Sequence, residues 1–138
     1  MIANRSSARS RRSFAVRLLF VIAVVAGCGE DSSAGKDLQV SNQQDSFQFQ
    51  VTDVKHYSHT YTYTWANSGA SASVNQACSI TGGAATLILR DANGASVYAQ
   101  SLKSNGTFSS TVGAPGNWTV EVLLSNASGT LNFRAQKL

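Results

Sequence analysis

Acidic residues are scarce in this chain: 7 Asp and Glu in 138 residues, beside 2 Cys and 2 His. Each scarcity excludes a class of chemistry. Asp53 and Glu121 have no partner carboxylate at a spacing that suggests paired acid–base work. There is no G-x-S-x-G nucleophile motif and no C-x-x-C, so neither a serine hydrolase nor a redox or zinc motif is written in the chain. His56 and His59 form H-x-x-H, but on a strand a separation of three sends the two rings to opposite faces. Asp91 begins Asp91-Ala92-Asn93-Gly94, where one carboxylate suits turn geometry better than a calcium loop. The sequence therefore nominates no catalytic residue, no metal site and no cofactor.

The formal charge of +4 is also misleading. Arg5, Arg9, Arg11, Arg12 and Arg17 all precede Cys28. From Cys28 onward Lys and Arg number 6 and Asp and Glu number 7, a net of −1. A domain so close to neutrality has no electrostatic footprint for nucleic acid. Its low charge, with many Ser, Thr, Asn, Gln and Gly, is typical of exported β proteins.

No apolar run is long enough to span a bilayer. The longest, Leu18 to Ala26 (LLFVIAVVA), has nine residues, where a spanning helix needs about 20. Behind an Arg-rich, acid-free segment, it reads as the apolar core of a signal peptide covering residues 1–27. Val25-Ala26-Gly27-Cys28 follows, and small residues ending in Cys resemble the lipobox of bacterial lipoproteins. That resemblance implies cleavage after Gly27, a diacylglyceryl thioether on Cys28 and acylation of the new amino terminus. Two or three acyl chains, at about 0.8 kcal/mol per buried methylene, hold a protein on a membrane stably. Gly29, rather than Asp, after the Cys favours the outer over the inner membrane. Ser10-Arg11-Arg12-Ser13-Phe14 is similar to the twin-arginine signal core; Ala15-Val16 departs from the fuller pattern, and a merely basic leader fits equally well.

Residues 28–46 are polar, with Leu38 and Val40 the sizeable apolar side chains, and such composition predicts a flexible tether. From Phe47 the hydrophobic period becomes two, which marks half-buried strands. Phe47, Phe49 and Val51 form one apolar face; Val74, Cys78 and Ile80 another; Leu87 and Leu89 a third. Asn93-Gly94 predicts a hairpin, so Ala95 to Leu102 should return antiparallel. After Phe108, Val112 and a turn at Gly113–Gly116, Trp118, Val120, Val122 and Leu124 share a face, as do Leu131, Phe133 and Ala135. Seven or eight short strands without a helix predict an all-β fold, an antiparallel sandwich over residues 47–138. The segment from Ala85 to Lys137 resembles bacterial pre-peptidase C-terminal and other Ig-like or jelly-roll accessory domains, which implies that fold but no particular activity.

Residues 56–67, HYSHTYTYTWAN, alternate rings with Thr. The solvent-suited Thr60, Thr62 and Thr64 assign the rings to the inner face. Tyr57 and His59, at the start of the row, are expected to be more exposed than Tyr63 and Trp65. Tyr57, His59 and Tyr61 are accordingly the candidate ligand-binding residues. Together these features point to a lipid-anchored envelope protein carrying a non-catalytic binding module for a glycan or another envelope protein. A purely structural component, or an enzyme built around Asp53, His56, His59 and Glu121, are the competing expectations. Cys28→Ala should leave the protein as unprocessed precursor or release it from membranes, read by mass and fractionation; unchanged mature mass and membrane association would refute the anchor.

Overall fold

The computed structural model describes residues 31–138. The expected signal peptide and Cys28 lie outside the described residues. Seven strands and no helix make up the described chain: β1 (Lys36–Gln43), β2 (Ser46–Asn67), β3 (Ala72–Gln76), β4 (Ser79–Arg90), β5 (Ser96–Ser101), β6 (Gly106–Ser109) and β7 (Gly116–Lys137). All pairings are antiparallel.

Two strands, β2 and β7, run for 22 residues each. Held straight, each would reach about 70 Å, twice the width of a domain of this size. They bend instead. Phe47 to Val51 pair with Leu131 to Ala135, while His59 to Asn67 pair with Leu124 to Gly116, and bulges interrupt the ladder from Val51 to His59. One leaf thus has the order β1, first half of β2, second half of β7, β3, β6. The other has the second half of β2, first half of β7, β4, β5. The result is a β-sandwich made from one sheet folded over itself, with bulges at the corner as strands that change leaves require.

The corner is built from backbone that most residues avoid. Asp53, His56 and Asn126 have φ of 54°, 42° and 46°, and Gly83 and Gly129 have 65° and 129°. Gly83 and Gly129 are also sterically required. A Cβ on Gly83 would stand 2.0 Å from the Asn126 carbonyl oxygen, and one on Gly129 would stand 2.0 Å from that of Ser79. Here β4 and β7 bend side by side, and their register shifts together between Ile80 and Ala84.

Folding the sheet brings the two halves of β2 face to face. The Phe49 ring lies 5.2 Å from Tyr61, Phe47 lies 5.4 Å from Tyr63, and Phe133 stacks on both Phe rings. Trp65 and Trp118 close the end opposite the corner, edge to face at 5.8 Å. Both indole N–H groups are satisfied, donating to the carbonyls of Gln43 and Ala114. Each fully buried ring contributes about 1.5–3 kcal/mol. Gln76, buried in this core, accepts from the Tyr98 hydroxyl and donates to the carbonyls of Ser101 and Ser104. Burial among these groups pushes the Tyr98 phenol up to about 12.

Three differences from the sequence-based expectation have physical causes. The expected terminal strand is the continuation of β7, because Ser128-Gly129 forms a bulge and not a turn. Val112 is 80% exposed, in the connection between β6 and β7, and packs nowhere. The folded region begins before Phe47: β1 lies within the stretch whose composition predicts a tether, and Ser33 pairs with Lys55 ahead of it. Every β1 residue is exposed, so side-chain burial gives no sign of it. Backbone hydrogen bonds to the edge of β2 hold it in place.

Gly129→Ala should destabilise the fold by more than about 1 kcal/mol, since the positive φ and the Ser79 contact both oppose a side chain. Chemical denaturation measures this; an unchanged midpoint would show that the corner relaxes freely.

Candidate binding faces

Alternation along β2 places its rings on the inner side of the second leaf, with Thr60, Thr62 and Thr64 exposed outside. The second half of β2 is the outer strand of that leaf, so the row runs along an open side of the sandwich. Trp65 is buried, Tyr63, Tyr61 and Tyr57 are half-buried, and His59 is exposed. The ends of the expectation hold for His59 and Trp65, but Tyr57 packs against the core half-buried, as Tyr61 and Tyr63 do. The rings do not form a flat platform. Tyr61 and Tyr63 are nearly parallel, 6° apart with centroids at 6.5 Å, and His59 meets Tyr61 edge-on at 4.6 Å. Tyr61 and Tyr63 stand like the teeth of a comb, with His59 turned across them. Burial raises the phenol pKa of Tyr61 and Tyr63, and for Tyr61 the neighbouring Tyr57 and Tyr63 add to the shift. The hydroxyls are therefore neutral hydrogen-bonding groups at ordinary pH.

The four residues considered for catalysis are not all brought together. Glu121 lies on the outer face of the second leaf, 3.5 Å from Arg90. His59 lies on the inner side. Asp53 and His56 do share a cavity of about 590 Å3 at the corner, with Ser79, Ser128 and Thr130. Asp53 and Ser128 serve the fold there. The Asp53 carboxylate lies between Lys36 (3.4 Å) and Lys55 (3.8 Å). The Ser128 hydroxyl accepts the His56 backbone N–H. Among the described residues, no group of His, Cys, Asp and Glu is arranged to hold a metal ion.

Asp91 is a turn-former of the kind its sequence context suggests. Its Oδ1 accepts the N–H groups of Asn93 and Ala95, and its Oδ2 accepts that of Ala114, tying the β4–β5 turn to the start of β7. These bonds, led by the one from Ala114, lower its pKa. Cys78 is a free thiol whose pKa burial raises; its sulfur exchanges hydrogen bonds with the Asn132 backbone. The Asn105 side chain bonds both backbone groups of Cys78, standing in for a neighbouring strand.

The outer face of the first leaf holds groups the sequence did not single out. Gln48, Arg134, Asn75 and Thr107 lie opposite one another across four strands. Asn132 and Gln136 flank Arg134 on β7, and Ser73 pairs with Gln136. These seven side chains line a shallow cavity of about 460 Å3. Arg134 is its one charged residue; its Nη2 donates to Gln48 Oε1 at 3.0 Å, and Asn75 donates to the Thr107 hydroxyl. Even spacing in β2 and β7 was the available signal: Gln48 and Gln50 in one, Asn132, Arg134 and Gln136 in the other. It reads as a solvent face until strand pairing puts these residues side by side.

No protein-family model and no curated protein matches the chain.

The Asp91 geometry fixes a pH dependence. Its folded pKa lies below the ordinary 3.8, so the unfolded chain takes up the proton first as pH falls. The stabilisation is present above that ordinary value and disappears as pH drops through the lowered folded value. Asp91→Asn, which replaces one acceptor oxygen by a donor, should lower the melting temperature at neutral pH, and the gap from wild type should close below pH 3.8. A gap independent of pH would contradict the assignment.

Proposed function

We propose that this chain is a lipid-anchored protein of the bacterial cell envelope, in the outer membrane, whose sandwich is a non-catalytic module binding an anionic glycan on the outer face of its first leaf. The export and anchoring parts rest on the signal-like leader and the lipobox ending in Cys28. The binding part is carried by one observation: a polar cavity in which Arg134 is the single charge, set among four amides and two hydroxyls.

That composition selects a ligand class. The face carries no aromatic ring, so stacking against the apolar side of a neutral sugar is unavailable. Hydrogen bonding must supply the affinity, and bonds from a guanidinium to a carboxylate are about twice as strong as neutral ones. Gln48 fixes one guanidinium nitrogen and leaves the others to donate. Gln136, Asn132 and Asn75 offer both donors and acceptors, as sugar hydroxyls require. A saccharide bearing carboxylates, as envelope glycans do, answers this pattern. The corner cavity supports an enzymatic reading less well, because Asp53 and Ser128 are already engaged there.

Binding of the mature chain to an array of neutral and acidic polysaccharides, and to isolated cell-wall glycan, tests the reading. Acidic glycans should be retained, and Arg134→Ala should weaken binding at least about tenfold, the equivalent of one charge-assisted hydrogen bond. Arg134 is exposed, so the variant should keep its β-sheet spectrum. Failure to retain any acidic glycan, or equal binding by the variant, would refute the proposal and leave the purely structural reading.

A further inference from the structure

We infer that the open side of the sandwich, between β1 and the second half of β2, is a membrane-facing surface that rests on the lipid bilayer holding Cys28. The inference builds on the anchor proposed above and adds which surface meets the lipid. Chain length comes first. Ser33 is fixed to the fold, its N–H and carbonyl bonded to Lys55 at 2.8 and 3.0 Å. Only Gly29, Glu30, Asp31 and Ser32 separate it from Cys28. Fully extended, that stretch covers about 17 Å, much less than an 18-residue tether would. The folded domain is therefore held against the headgroups.

Where the chain enters the fold selects the side. Ser32 donates to the His56 carbonyl, and Ser33 pairs with Lys55, immediately beside Tyr57. From there β1 runs along the open side. Leu38 and Val40, 48% and 37% exposed, are two of the four large hydrophobic residues exposed among the described residues. Val40 is paired with Phe49, whose ring lies 5.2 Å from Tyr61, so β1 presents Val40 on the side where the ring comb opens, with Leu38 close by in the irregularity between Lys36 and Gln39. Apolar side chains beside half-buried rings with polar rims suit the headgroup boundary, where Tyr concentrates in membrane proteins. The opposite edge carries Lys103, Ser104 and Asn105 instead, all exposed.

Charge plays little part. Lys36 and Lys55 are offset by Asp37 and Asp53, so contact should not require anionic lipid. Partly exposed side chains cannot retain the protein unaided, and the edge orients a domain that the acyl chains hold.

The test uses the full chain purified with its lipid from membranes and placed in phosphatidylcholine vesicles bearing a headgroup quencher. A fluorophore is attached to Val40→Cys or, separately, to Lys103→Cys; Cys78 is buried and will not compete. The fluorophore at position 40 should be quenched several-fold more than the one at 103. Tyr57→Asn with His59→Asn should reduce that contrast without detaching the protein. Equal quenching at the two positions in a protein whose mass shows the Cys28 adduct would overturn this inference alone. Absence of the adduct would overturn it together with the anchor.

Discussion

The architecture depends on three neighbouring strands bending at one place. β2, β7 and β4 each leave the regular ladder at the corner, and their bulges are adjacent in the sheet. Gly83 lies against the Asn126 carbonyl and Gly129 against that of Ser79, approaches that a Cβ would block. Because the strands bend together, pairing resumes on the far side and the apolar faces of both halves meet. The core exists because the corner does. Phe49 and Tyr61 are on the same strand, twelve residues apart, yet they pack ring to ring.

Closing a sheet in this way leaves two problems, and the sequence meets each locally. Polar groups caught inside need partners, and Gln76 has three, from β5, the segment after it and Tyr98. Among the described residues, no buried side-chain polar atom lacks a hydrogen bond. The other problem is the unpaired edge. β1 covers the outer side of β2 in the first leaf and contributes the Gln43 carbonyl that receives the Trp65 indole N–H. Ahead of β1, the pairing of Ser33 with Lys55 brings the start of the fold to within five residues of Cys28.

Much of this was legible in the chain. Strict alternation placed Phe47, Phe49, Trp118, Val120, Leu131 and Phe133 inside, and all are buried. Asn93-Gly94 marked the β4–β5 hairpin, and Asp91 behaves as a turn residue. Alternation has no term for continuity through a bulge, so Phe47–Val51 and Tyr57–Trp65 read as separate strands. Nor does it register a strand held by backbone bonds alone, which hid β1. The exposure of His59 and the burial of Trp65 were legible from the order of the row, but the half-burial of Tyr57 was not, and the arrangement of the rings depends on side-chain torsions that spacing does not determine. The polar face escaped notice for a related reason. Gln48, Asn75 and Arg134 are far apart in sequence and become neighbours only through pairing across β7.

The sandwich therefore offers two different sides, a polar face built around Arg134 and an open aromatic side beside β1, and the second exists only if one sheet folds over itself. The most direct test of that central claim is the nuclear Overhauser contact between the ring protons of Phe49 and Tyr61. In a straight strand these rings would be about 40 Å apart. The folded sheet predicts strong cross-peaks between them, and between Phe47 and Tyr63. Their absence, with the β2–β7 backbone contacts intact on both sides of the corner, would contradict the account.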